Sequence, residues 1–186
     1  MRRPKTIEFG QSALASDYEF GLKTCMVINQ KRYGRLRQLP KVERGNFPDL
    51  PESEEDSDKV KMQVKSMGIG IEEIFEFTDT SSADLLAHIN RQKARFWRLG
   101  KFENKHTFLL VYVNCYGLED GPKGKEAEHK QQYIVLNQLK ETEVLFPIEA
   151  KLRQLIEYTE NKCFVLAIYD TLHSDPDSLK RLKKRG

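Results

Sequence analysis

Nowhere in its 186 residues does this chain hold a run of about 18 apolar residues, the length a membrane-spanning helix needs. The basic start Met1-Arg2-Arg3-Pro4-Lys5 is not followed by an apolar stretch of signal-peptide length, so neither a signal peptide nor a membrane span is expected. Cysteine is scarce. Cys25, Cys115 and Cys163 form no close CxxC pair and do not fall beside histidines at zinc-finger spacing, which argues against a disulfide scaffold and a structural zinc site. A reducing, cytoplasmic setting is expected, with no metal and no cofactor. Neither sign of charge dominates: 31 Lys and Arg against 28 Asp and Glu leave a net charge of +3. With no basic stripe or named motif to accompany it, that surplus weighs against a dedicated nucleic-acid reader. His88, His106 and His129 share no useful spacing and read as ordinary surface or helix-face residues.

What the chain does have is 39% apolar and 32% charged residues, a balance suited to one heavily solvated soluble domain. Residues 1–21 show no clean period and read as an N-terminal arm, 22–175 as the domain and 176–186 as a basic tail. The run Cys25-Met26-Val27-Ile28 marks a first strand over 23–29 with both faces covered. A basic, irregular loop follows to residue 50. Six acids between Asp49 and Asp58 then lead into Val60, Val64 and Met67 at helical spacing, with Gly68 closing the helix. Acids at a helix start complement its dipole; a metal or partner site is the other reading of the same cluster.

A second strand is expected over 71–77. Ser81 or Ser82 can cap the next helix, whose buried stripe would be Leu85, Leu86, Ile89, Phe96 and Trp97. The clearest strand covers 108–113 and runs toward Asn114, ahead of a Gly/Pro-rich turn region at 117–124. Tyr133 to Leu136 can form one arm of a small hairpin. Pro147 suits the first turn of a helix carrying Ile148, Leu152, Leu155 and Ile156. A near-continuous apolar strand at 163–169 closes the series. Strands alternating with helices specify an α/β domain, a three-layer sandwich with a mainly parallel sheet, and ligand sites in such sheets lie beyond the strand carboxyl ends.

Two of those ends carry Cys115-Tyr116-Gly117 and Asp170-Thr171-Leu172-His173-Ser174-Asp175. In order of parts and at these two strand ends, residues 22–175 resemble the caspase and metacaspase superfamily, with the large-subunit portion only. There the first strand end carries Gly-His-Gly and the second Asp-x-Cys-His-Ser-Gly. The resemblance therefore puts Tyr116 at the position of the general base and Leu172 at that of the nucleophile. Leucine has no lone pair to attack a carbonyl, and a phenol with a reference pKa of about 10 is a poor base at neutral pH. The expectation is a pseudoprotease: an inactive domain that binds protein as a scaffold, a regulator or a subunit of a larger assembly. Asp170 matches the family's acid two residues before the cysteine, which helps line a pocket for a basic substrate residue; capping of a neighbouring loop explains it equally well.

A residual cysteine endopeptidase is the alternative, through a swapped dyad of Cys115 and His173. A shift of one residue along a strand turns the side chain to the other face, so both are expected to point away from the family's cleft. The resemblance also implies that 163–169 lies at a sheet edge, because the family continues with strands this sequence lacks. Such an edge is expected to be covered by a terminal arm, a second copy or a strand-donating partner. Lys31, Arg32, Arg35 and Arg37 on the first loop, and Lys183, Lys184 and Arg185 in the tail, support a third reading, an RNA-associated subunit or another anionic partner.

Overall fold

Apolar, β-rich sequence at 25–28 does nucleate a strand, and it is longer than its apolar run. The computed structural model describes residues 20–34, 36, 47–70, 73–120, 131–137 and 144–173. In order these form β1 (Phe20–Asn29), α1 (Ser53–Ser66), β2 (Ile74–Thr78), α2 (Ser82–Phe102), β3 (His106–Asp120), β4 (Gln131–Val135), β5 (Leu145–Phe146), α3 (Ile148–Tyr158) and β6 (Cys163–His173). The class is α/β with a mixed six-stranded sheet. β1 pairs in parallel with both β2 and β3, and β6 pairs in parallel with the other side of β3. The expected parallel order stops there, because β4 pairs antiparallel with the far end of β3 and β5 antiparallel with β4. A parallel return would need a crossover of about a dozen residues or more, longer than the stretch between β3 and β4.

Helices cover both faces. Met26, Ile28, Leu109, Val111, Val113 and Cys115 point to the face under α2 and α3, where they meet Leu85, Phe96, Leu152 and Leu155. Cys25, Val27, Leu110 and Tyr112 point the other way, against Val64 of α1 and Ile69. The caps match the sequence: the Ser81 hydroxyl accepts from the Asp84 amide at 3.1 Å, and Gly68 takes the left-handed φ of +79° after α1.

Four expectations are corrected. Leu86 and Met67 are exposed and Trp97 is only half-buried, because the buried stripe of α2 passes through Leu85, His88, Ile89, Gln92 and Phe96. The turn region expected over 117–124 does not begin at Gly117, because β3 runs on to Asp120, and 121–124 lie outside the described residues. The 163–169 run is not covered on both faces, as described below. Finally, His88 is buried, with its ring centroid 4.4 Å from that of Phe75 and 4.8 Å from that of Phe77.

Burial, with a smaller push from Arg91, lowers the His88 pKa to about 4. The unfolded chain therefore binds a proton that the folded one refuses between the ordinary value near 6.5 and about 4. Stability from the neutral ring is present above that window and lost as pH falls through it. We expect the unfolding free energy of the native protein to drop, relative to His88→Gln, by on the order of 2 kcal/mol between pH 6.5 and 4. Urea melts of the two proteins at both pH values measure this difference.

Candidate functional site

At the carboxyl ends of the parallel strands the register aligns Asn29 of β1 with Asn114 of β3, and Asn114 with Asp170 of β6. Two pairs further on, Tyr116 lies directly across from Leu172. The two positions singled out by their motifs are thus side by side. Tyr116 is buried, edge-on to Tyr33 at 4.9 Å and to Phe47 at 5.1 Å, and its amide donates to the Tyr33 hydroxyl at 3.0 Å. Burial, with a contribution from Asp49, moves its phenol pKa above the ordinary value, further from use as a base at neutral pH. Leu172 is 55% exposed.

The loop after β1 is fastened by three acidic side chains, of which Asp79 is half-buried and Asp49 and Glu54 are exposed. Asp79, at a left-handed φ of 49°, accepts from the amides of Lys31 and Arg32 at 2.8 Å and from Arg32 Nε at 2.6 Å. Lys31 is ion-paired with Glu54. Asp49 accepts from the Tyr33 amide at 2.8 Å. Two of the basic loop's cations are therefore matched by acids of the fold, and Arg35 and Arg37 lie outside the described residues, as do Lys183, Lys184 and Arg185.

Between the start of α1 and the β3 and β6 ends lies a cleft of about 260 Å³, lined by Glu52, Ser53, Asp56, Asn114, Asp170 and Leu172 among others. Asp170 accepts a 2.8 Å hydrogen bond from the Tyr112 hydroxyl, whose pKa is raised by burial and then by this carboxylate. Three carboxylates in one cleft favour a cationic group. Of the acidic cluster, read from sequence as dipole partners or as a metal or partner site, Glu52 at the N-cap and Asp56 of α1 line this cleft. Among the described residues no three histidine, cysteine or acidic side chains converge to hold a metal ion. Asn29, fully buried next to Asn114 by register, has neither amide atom bonded to a protein group.

Cys115 takes the other face of β3. It is fully buried in the core under α2 and α3, its thiol donates to the Tyr116 carbonyl at 3.2 Å, and burial pushes its pKa strongly up. A thiol held protonated is not a nucleophile. Position 173 pairs with Gly117, and its side chain lies outside the described ones. Cys25 and Cys163 are likewise buried and unpaired.

No protein-family model matches the chain, and no curated protein matches it either.

The sheet's two parallel edges differ. β2 is five residues long, and its outward Glu76 is paired with Lys61 at 2.6 Å, a short and charged edge of the kind that resists pairing. β6 is eleven residues long and, among the described residues, pairs with β3 alone. Its Val165, Ala167 and Tyr169 pack on the core under α3. On the opposite face Phe164, Leu166, Ile168 and Leu172 are exposed by 40, 46, 45 and 55%. Among the described residues α1 covers β1 and β3 on that face, Phe20 of β1 meets Phe164 edge-on at 5.6 Å, and no helix covers Leu166, Ile168 and Leu172. Free backbone groups beside an apolar stripe are the physical signature of strand addition. None of the described helices is long and apolar enough to cross a membrane.

Proposed function

We propose that this chain is a catalytically inactive, caspase-like domain that works by holding a protein partner along β6. The observation that carries the reading is the register pair Tyr116 and Leu172. The residues at the two dyad positions of the resemblance are neighbours at the strand ends, yet the pair offers no thiol and no imidazole. The parallel order β2-β1-β3-β6 with helices on both faces supports a caspase-like, mainly parallel sandwich that comprises the large-subunit portion. The bare stripe of β6 supplies the docking surface, whether for an active relative or for another assembly subunit. The acidic cleft at its end suits a lysine or arginine of the bound segment, with Asp170 as the central carboxylate. Three buried, unpaired thiols fit a reducing cytoplasm.

A cysteine peptidase built on Cys115 would need a solvent-reachable thiolate, against both the burial and the raised pKa of that group. Of the first-loop cations that an RNA-associated subunit would use, Lys31 and Arg32 are already held by Glu54 and Asp79. The test is direct. Fluorogenic peptides with lysine or arginine before the cleavable bond should show no turnover above buffer, and Cys115→Ala should change nothing. Iodoacetamide should label Cys115 at least about a thousandfold more slowly in native buffer than in urea, as expected of a group reached only through unfolding. Turnover that disappears in Cys115→Ala would overturn the assignment.

A further inference from the structure

At the opposite end of the sheet from the acidic cleft, α2 runs into β3 and α3 runs into β6. We infer that the surface formed there by the ends of α2 and α3 binds single-stranded nucleic acid, a base lodging against Trp97 and phosphates resting on Lys93, Arg98 and Lys101. This goes beyond the protein-binding reading and does not depend on it.

Charge comes first. α2 carries Arg91, Lys93, Arg95, Arg98 and Lys101 against Asp84 alone, five minus one, or +4. Arg95 is spent on Glu73, with two 2.8 Å bonds. Lys93, Trp97 and Lys101 recur every four residues and share a helix face, with Arg98 three before Lys101. Arg98 and Lys101 form no ion pair among the described residues.

Aromatic surface comes second. Phe102 is 74% exposed and edge-on to Trp97 at 5.6 Å; Tyr158 is 47% exposed, 6.4 Å from Trp97, with Lys93 Nζ 4.2 Å above its ring. Leaving large rings in water forfeits hydrophobic free energy, and rings interleaved with cations are what strands of stacked bases use.

A cleft comes third. About 210 Å³ opens between Trp97, Gly100, Lys101, Thr159, Glu160 and Lys162. Lys162 is fixed as a wall by bonds to the Gly100 carbonyl at 2.9 Å and to Asn104 Oδ1 at 2.8 Å. Gly100 keeps the cleft open beside it, since a Cβ there would stand 3.1 Å from Lys162 Cδ. Glu160 can accept from the exocyclic amine of a base. An anionic lipid headgroup or an acidic peptide has no flat base to lodge against Trp97.

Trp97 is the only tryptophan of the chain, so its emission reports on the site. A short single-stranded oligoadenylate should quench it with a dissociation constant of about 10 µM at low salt, and log affinity should fall against log salt with a slope of about −2 for three phosphate contacts. Phe102→Ala and Tyr158→Ala should each weaken binding several-fold, and Arg98→Glu with Lys101→Glu should abolish it, all with unchanged thermal midpoints. Three results would overturn the inference: no quenching, binding that heparin reproduces and Phe102→Ala leaves intact, or a response to phosphatidylserine vesicles in place of the oligonucleotide.

Discussion

Replacing Leu166 and Ile168 together by arginine should cost the protein partner at least about a hundredfold in affinity, while the thermal midpoint moves by no more than a few degrees. Both side chains stand nearly half exposed on the uncovered face of β6, so the fold has little to lose when they change. A partner strand laid along β6 has much to lose. It would gain main-chain hydrogen bonds from the free edge and apolar contacts from Phe164, Leu166 and Ile168, and two guanidinium groups in that stripe remove the second contribution. The partner should be isolated on the native protein and then titrated by calorimetry against both proteins. Equal affinities would place the interface elsewhere. Val165→Arg is the useful contrast, because that residue packs on the core under α3 and its replacement should unfold the protein outright.

The second large effect is expected at Gly117. A methyl group there would lie 2.8 Å from Thr171 Cβ and 2.9 Å from its hydroxyl oxygen, on a neighbouring strand with no flexible chain to swing aside. Gly117→Ala must push β3 and β6 apart where Tyr116 faces Leu172, and we expect a loss of about 2 kcal/mol in chemical denaturation. In a Thr171→Gly background the same substitution should cost less than half as much, a coupling that marks the clash as its cause. Gly21 has similar crowding on paper, with Lys105 Cδ 2.4 Å from the corresponding position. The outer carbons of Lys105 can rotate away, but its Cβ would also stand 2.7 Å from that position and is fixed to the backbone, so Gly21→Ala should destabilise as well.

Gly117 also shows where sequence reasoning stops. A glycine after an apolar run reads as a turn, and only the proximity of Thr171, fifty-four positions away by the difference 171 − 117, reveals that the residue is needed inside a strand. The strands themselves were legible because β-branched and aromatic residues cluster at 25–28, 108–113 and 163–169. Helix starts were legible at Ser81 and in the acids of α1, where capping and dipole chemistry are local. Burial was less so. Trp97 and His88 exchanged their expected places because hydrophobicity ranks a side chain without saying which face of its helix meets the sheet. At the candidate site the strand-end positions of Tyr116 and Leu172 could be located from pattern. The contribution of Glu52 and Asp56 to the same cleft depends on how α1 is set down across the sheet, which no local signal encodes.

The inequality of the sheet's two parallel edges constrains what kind of assembly can grow from this molecule. Polymerisation in a line requires each unit to be receptive on both sides, so that every newcomer exposes a fresh landing place. On the proposed reading the five-residue β2 side, with Glu76 neutralised by Lys61, would turn newcomers away, whereas the eleven-residue β6 side would admit them. Recruitment through β6 alone should then saturate at one neighbour per copy and yield discrete particles in place of filaments.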